Sequence, residues 1–179
     1  YGLANRVTKE KLNENSIFEL ASLSKQFTAA GIILLNRRGK LNYNDPLTKY
    51  FPELNFAEKV TIKNLLNHSS GLPEYFGLMM EHGDQGKIAS NQDVIEMLAS
   101  KVDSLNFQPN DQFDYCNTNY LLLASIIEKI ENISYHEFMK ANIFEPLGMQ
   151  NSFVYNSRYR PQPISNYALG YVQGDQQMI

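Results

Sequence analysis

The amino-acid sequence predicts an α+β fold that is rich in helix and contains little sheet. The longest apolar stretch has the features of a helix over residues 22–38, with basic residues in its last turn and Gly39 after it. Several further apolar segments follow residues that commonly cap helices. Strand-like stretches are short and lie near the two ends of the sequence. The 179 residues suffice for one sizeable core, so residues 1–179 are interpreted as a single domain.

Each helix is predicted from local signals. The middle of the helix at residues 22–38 is apolar almost all round, so this helix is expected to lie in the core. The other predicted helices are one with Asp45 as N-cap and Pro46 at its first position, one from Thr61 to about His68, residues 91–101, residues 118–131, and one that starts at the capping box of residues 134–137 and ends before Pro146. The remaining segments are expected to be extended pieces at residues 1–7 and 16–20, a loop at 74–90, a turn at 108–111, and loop and strand in the tail with Tyr155, Tyr159, Tyr167 and Tyr171.

Composition and charge exclude several classes of function. The net charge is −3 and no block of like charge occurs, so no nucleic-acid-binding surface is expected. No apolar run is long enough to predict a membrane span. The sequence has one cysteine, Cys116, so no internal disulfide can form. Neither the spacing of a metal site nor a glycine-rich phosphate loop occurs, and no cofactor is expected.

Ser22 and Lys25 form a Ser-x-x-Lys tetrad at the start of the first predicted helix. Side chains at positions i and i+3 of a helix lie on one face, with Cβ atoms about 5–6 Å apart, so the lysine amine can reach the serine hydroxyl. A serine hydroxyl is a weak nucleophile until a base takes its proton, and lysine can be that base where burial or nearby positive charge disfavours its ammonium form. The Ser22 N–H, in the first turn, is also available to stabilise a developing oxyanion.

The tetrad alone is weak evidence, because a chain of this composition contains about one such match by chance. A second polar group, Tyr115-Cys116-Asn117, precedes the apolar helix at residues 118–131. Tyr115 and Asn117 are expected to lie on a loop and to point the same way, since side chains alternate along an extended chain. A tyrosine beside a lysine can relay a proton, and an asparagine can bind an amide. The alternative is that Tyr115 packs on the core and Asn117 caps the next helix.

His68 and Cys116 are the other candidates for chemistry. His68 lies beside Ser69 and Ser70, but adjacent residues at a helix end do not orient as base and nucleophile. The segment is therefore interpreted as a helix stop followed by a turn. Cys116 could supply a reactive thiol, although no histidine is clearly paired with it in the sequence.

Three segments carry these motifs in order: residues 19–29 with the tetrad, residues 65–73 with Asn-His-Ser-Ser-Gly-Leu-Pro, and residues 115–124 with Tyr-x-Asn. Together with residues 144–149 and 168–171, they resemble the class C β-lactamase-like family of penicillin-recognising serine hydrolases. The separation of 93 residues between Ser22 and Tyr115 suits that family. The resemblance covers nearly the whole chain, and it is the order and spacing of the motifs that make it specific.

The resemblance implies a β-lactamase/DD-peptidase-like fold and an acyl-enzyme mechanism. Ser22 would attack a carbonyl carbon, while Lys25 and Tyr115 would share the proton. Asn117 would hold the acyl side chain of the substrate. The substrate would be a small molecule or a peptide: a β-lactam, a D-peptide or an ester. Members of the family usually work outside the cytoplasm, so a periplasmic or other extracytoplasmic location is implied, while the oligomeric state stays open.

One feature of the family has no counterpart in the sequence. Its third motif, Lys-Thr-Gly or His-x-Gly on a strand that supplies a second oxyanion N–H, does not occur. The chain is therefore expected to be a fragment that holds mainly the helical region, lacks most of the antiparallel sheet and contains an incomplete active site. Three hypotheses stand: a serine hydrolase acting through Ser22, a penicillin-binding or sensor protein that does not hydrolyse its ligand, and a structural helical domain with accidental motifs.

Overall fold

Helices form most of the secondary structure in the computed structural model, which describes residues 2–83, 89–155, 163–171 and 177–178. The helices are α1 (Lys25–Arg37), α2 (Ile62–Leu66), α3 (Tyr75–His82), α4 (Asn91–Lys101), α5 (Asn117–Glu131) and α6 (Tyr135–Met139), which a π-helix continues over Lys140–Phe144. Three short 3-10 helices cover Ala21–Ser24, Leu47–Lys49 and Asn55–Ala57. Strands β1 (Gly170–Tyr171) and β2 (Gln177–Met178) pair antiparallel, with Gly170 opposite Met178. The prediction of a helix-rich fold with little sheet is confirmed.

Helix α5 lies at the centre of the core. It packs against α1, α2, α4 and α6. The apolar side chains that α5 and α1 bury completely are Leu122, Leu123, Ile126, Ile127, Ile32 and Leu35. Each such burial contributes about 1.5–3 kcal/mol, so this packing fixes α1 relative to α5. Gly31 permits the close approach of α1, because a Cβ atom there would lie 3.0 Å from both Ile127 and Met139.

Helices with strong capping signals begin where the sequence predicts them. Helix α4 spans the predicted residues 91–101. Thr61 caps α2 in a capping box with Asn64, and Ser134 caps α6 in a capping box with Glu137. In each box, a side-chain oxygen accepts from a backbone N–H that has no partner inside the helix.

The prediction of a loop over residues 74–90 is wrong for its first half, which forms α3. The side chain of Glu74 caps this helix by accepting from the Phe76 N–H. Gly77 lowers the helix propensity of the segment, which also offers no clear apolar period. Residues 84–88 of the predicted loop lie outside the described residues.

Two expectations near the start of the chain also need correction. The helix predicted to begin at Pro46 is a 3-10 helix over Leu47–Lys49, with Pro46 in the N-cap position. The Asp45 carboxylate caps no helix N–H and instead accepts from the Asn42 N–H, holding a turn. Helix α1 is not buried all round, because Ile33 is 42% exposed.

The predicted extended pieces form isolated bridges. Leu3 pairs with Lys11, and Ile17 pairs with Tyr167 of the tail. Tyr159, in the predicted loop and strand of the tail, lies outside the described residues. Among the helices of the described residues, none has the length and apolar character needed to cross a bilayer.

Candidate active site

Ser22 lies in a 3-10 turn that leads directly into α1. Ala21, immediately before it, has a φ of 45°. This left-handed conformation costs a non-glycine residue about 1–2 kcal/mol, and such strain is often concentrated at functional sites. In a 3-10 turn, residues i and i+3 eclipse each other, so Lys25 is placed directly over Ser22. The Ser22 side chain is exposed and therefore accessible to a ligand.

The four residues predicted for the site meet in one hydrogen-bonded cluster. The Ser22 Oγ and the Tyr115 hydroxyl share a hydrogen bond of 2.7 Å. Lys25 Nζ donates to Ser22 Oγ at 3.2 Å and to Asn117 Oδ1 at 2.8 Å. Residues more than 90 positions apart in the chain are thus in direct contact, which the tetrad alone did not predict.

Lys25 is half-buried, and its amine lies over the faces of two aromatic rings. Its Nζ lies 4.9 Å from the ring centroid of Tyr115 and 5.7 Å from that of Tyr120. Both distances suit attraction between a cation and a π face, which holds the amine in place. Hydrogen bonding to Lys25 and then to Ser22 lowers the pKa of the Tyr115 hydroxyl. The Tyr115 hydroxyl therefore gives up its proton more readily than an isolated phenol would.

Tyr115 lies outside helices and strands, as predicted, whereas the local structure of Asn117 differs from the prediction. Both were expected on a loop, but Asn117 is the first residue of α5. Cys116 between them is extended and buried, with φ −139° and ψ 121°. The two neighbours therefore point to the same side, as expected from alternation, while the helix start fixes Asn117 more firmly than a loop would.

The Cys116 thiol is held away from any role as a nucleophile. Its Sγ faces the carbonyl oxygens of Leu72 at 3.4 Å and Pro73 at 3.6 Å. Burial raises the pKa of the Cys116 thiol, and only the thiolate is strongly nucleophilic. The geometry therefore favours a structural Cys116.

His68 positions the segment that carries Tyr115 and Asn117. Its backbone is left-handed, with φ 55°, and its side chain is only 8% exposed. His68 Nδ1 accepts from the Cys116 N–H at 3.1 Å and faces the Asn119 Nδ2 group at 3.3 Å. Two donors at Nδ1 require a neutral ring with its proton on Nε2. The ring also packs against Tyr115, with centroids 4.6 Å apart.

Sequence reasoning assigned His68 to a helix stop and missed this contact. The stop is real, since α2 ends at Leu66 and the chain reverses at His68. No local signal linked the imidazole to a backbone amide 48 positions later. Gly71 follows in the same turn with φ 75°, where a Cβ atom would overlap the Phe107 carbonyl oxygen. Only glycine is compatible with this close approach.

We expect acid to destabilise the fold through His68. Burial, and then the positive charge of Lys25, lower the pKa of His68 below 6.5, while Asp114 and Glu74 raise it less. The unfolded chain therefore binds the proton first as the pH falls. The stabilisation is fully present above about pH 6.5 and is lost as the pH falls through the folded-state pKa. Urea unfolding midpoints measured between pH 5 and pH 7.5 should show this loss.

The variant His68→Asn tests that assignment. Asparagine tolerates the left-handed backbone and offers an oxygen near the position of Nδ1, but it does not titrate. It should lower stability at every pH and flatten the pH dependence, whereas His82→Asn, on α3, should leave the dependence unchanged. An unaltered slope in His68→Asn would assign the acid sensitivity to another group.

The described residues contain no group of three or more His, Cys, Asp and Glu side chains that could hold a metal ion. The chemistry available at this site is that of a hydroxyl, an amine and a phenol. Such a set can move a proton away from Ser22 and expose its oxygen to a ligand.

Comparisons with known proteins find similarity over nearly the whole chain. The model of the family "Beta-lactamase" matches residues 1–174. Penicillin-binding protein 4* of Bacillus subtilis (strain 168) is 49% identical over 172 residues, which are 96% of this chain and 38% of that protein. The chain thus spans less than two fifths of the length of that relative.

Two solved structures are similar in fold. A penicillin-binding protein from Bacillus halodurans matches with a TM-score of 0.82 and 27% identity, over 99% of this chain and 54% of that one. D-amino acid amidase from Ochrobactrum anthropi SV3, complexed with L-phenylalanine amide, matches with a TM-score of 0.82 and 30% identity, over 97% of this chain and 48% of that one. The chain corresponds to about half of each structure.

Proposed function

Because the chain belongs to the Beta-lactamase family, we propose that it carries the nucleophile and base of a serine hydrolase of the class C type. The observation that supports this proposal is the hydrogen-bonded cluster of Ser22, Lys25 and Tyr115 at an exposed, strained turn. A purely structural role does not explain why a lysine, a phenol and a hydroxyl are clustered where a ligand can reach them.

Acylation begins with attack of Ser22 on a carbonyl carbon. The Ser22 Oγ–C bond forms as the hydroxyl proton passes to Lys25 Nζ, which must be a neutral amine at that moment. The Ser22 N–H stabilises the oxyanion of the tetrahedral intermediate. The bond to the leaving nitrogen or oxygen then breaks, and that atom takes a proton through the Tyr115 hydroxyl. The product is an ester on Ser22.

Deacylation runs through the same groups in reverse. Water attacks the ester carbon while Tyr115 and Lys25 accept its proton, and Ser22 regains a proton as the acid leaves. Asn117 can hold the substrate throughout, because its Nδ2 group carries a second N–H besides the one directed at Glu74. A substrate amide oxygen is a suitable acceptor for that N–H.

The substrate class is part of the proposal, and the names of the relatives support it. Penicillin-binding proteins and a D-amino acid amidase are similar to this chain in sequence, and two of them also in fold. We therefore propose an amide, β-lactam or ester substrate, and an extracytoplasmic location like that implied by the family resemblance.

Mass spectrometry of the full-length protein tests the proposal. Incubation with a penicillin should add the whole mass of the β-lactam, because ring opening leaves both parts of the ligand on Ser22. Peptide mapping should locate the adduct at Ser22. An adduct that forms and is never hydrolysed would support the alternative of a penicillin-binding sensor. If penicillin and p-nitrophenyl esters both leave Ser22 unmodified and are not turned over, the hydrolase proposal is wrong.

A further inference from the structure

Glu74 lies behind the cluster and contacts Asn117 twice. Its Oε2 accepts from the Asn117 backbone N–H at 2.6 Å and from the Asn117 Nδ2 group at 3.1 Å. Its other oxygen, Oε1, lies 3.5 Å from the Phe76 N–H at the start of α3. One half-buried carboxylate therefore bridges the first turns of α3 and α5.

These contacts determine which way the Asn117 amide faces. An ionised carboxylate only accepts hydrogen bonds, so the side of the amide that faces Glu74 must be the NH₂ group. The amide oxygen is then turned toward Lys25 Nζ, at 2.8 Å. Without an acceptor at position 74, the reversed amide would place its NH₂ group against the lysine, where two donors would meet.

We propose that Glu74 is a positioning residue that orients the Asn117 amide and, through it, the Lys25 amine toward Ser22. The inference rests on the proposed function, in which Lys25 is the base. Glu74 would touch neither the substrate nor the reacting atoms. Its negative charge is also favourably placed, because both helix starts present partly positive N–H groups to it.

The bridge to Asn117 is specific to Glu74. Glu81, on the same helix, is 73% exposed and contacts only the neighbouring His82, at 3.7 Å, among the contacts that the structure describes. Glu74 and Glu81 carry the same group on or beside the same helix, so Glu81 offers a matched control.

Acylation by a fluorescent penicillin, measured on the full-length protein, tests the proposal. Glu74→Met removes both acceptor oxygens at similar length and should slow acylation by about 10- to 100-fold, since small misplacements of reacting groups cost this much. Glu74→Gln retains one acceptor oxygen and should recover part of that loss. Glu81→Met should acylate like the wild type. Acylation by Glu74→Met within about threefold of the wild type would overturn the proposal.

A double mutant separates positioning from general destabilisation. If Glu74 acts through Asn117, Glu74→Met should slow acylation by less than about threefold in an Asn117→Ala background. A destabilising role elsewhere would make the two losses multiply, which would contradict the proposal. Unfolding midpoints of all variants identify any that fail to fold. If Glu74→Met does not fold, Glu74→Gln takes its place in the comparison with the wild type.

A spectroscopic measurement keeps this inference distinct from the proposed function. In protein labelled with ¹⁵N-asparagine, the Asn117 backbone and side-chain amide resonances should shift in Glu74→Gln and stay in place in Glu81→Gln. Unshifted Asn117 resonances in Glu74→Gln would reject the positioning role even if the wild type is acylated. If the wild type is never acylated, the proposed function fails while these resonances still decide whether Glu74 orients Asn117.

Discussion

Ser22→Ala should abolish covalent labelling by penicillin and lower ester hydrolysis by about 10⁶-fold, or to the limit of detection. The other hydroxyl of the described cluster belongs to Tyr115, which hydrogen-bonds to Ser22. The proposal assigns Tyr115 the relay of a proton, so it is not expected to replace Ser22 as the nucleophile. The measurement is the rate of fluorescent labelling of the full-length protein, compared with its hydrolysis of a p-nitrophenyl ester.

Ser24→Ala is the matched control for this experiment. Ser24 lies in the same 3-10 turn and is also exposed, but its side chain caps no helix N–H. It should keep wild-type labelling and unfold within about 0.5 kcal/mol of the wild type, since exposed substitutions rarely cost more. Ser22→Ala should also fold, at a cost of about 1 kcal/mol because it loses its hydrogen bonds to Tyr115 and Lys25. Loss of labelling in Ser24→Ala with retention in Ser22→Ala would reverse the assignment of the nucleophile.

The sequence predicted those parts of the site that depend on local spacing. Lys25 follows Ser22 by one turn, and any helical geometry brings the two together. Tyr115 and Asn117 were predicted to share a direction by alternation, and the structure brings both to Lys25 and Ser22. The contact across the 93 intervening positions needed the packing of α5 on α1, which no local pattern specifies.

The parts that escaped prediction depend on single long-range contacts. Glu74 was assigned to a loop, since α3 is short and contains Gly77. Its carboxylate nevertheless accepts from the N–H of Asn117, which lies 43 positions later in the sequence. His68 gave a correct turn signal, but the acceptor role of its ring depends on where Cys116 lies in three dimensions. Capping signals, by contrast, act within four residues and predicted the starts of α2 and α6 well.

The role of Lys25 can be tested by comparing Lys25→Met with Lys25→Arg. Methionine removes the charge and the base together, and it should lower the acylation rate by about 10²- to 10⁴-fold, the usual contribution of a general base. Arginine keeps the positive charge and can still donate toward Ser22 and Asn117, but its guanidinium does not lose a proton in proteins. If Lys25 is the base, Lys25→Arg should be nearly as slow as Lys25→Met.

In the alternative mechanism, Tyr115 rather than Lys25 takes the proton from Ser22. Hydrogen bonding to Lys25 lowers the pKa of Tyr115, so a phenolate could accept the Ser22 proton while the lysine stays charged. In that case Lys25→Arg would retain most of the acylation rate, because arginine also stabilises a phenolate, and Tyr115→Phe would be the slower variant. As a control, Lys49→Met removes a lysine that pairs with Asp45 on the surface, and it should leave the acylation rate unchanged. The ratio of the Lys25→Arg and Tyr115→Phe rates therefore decides which of the two groups takes the proton from Ser22.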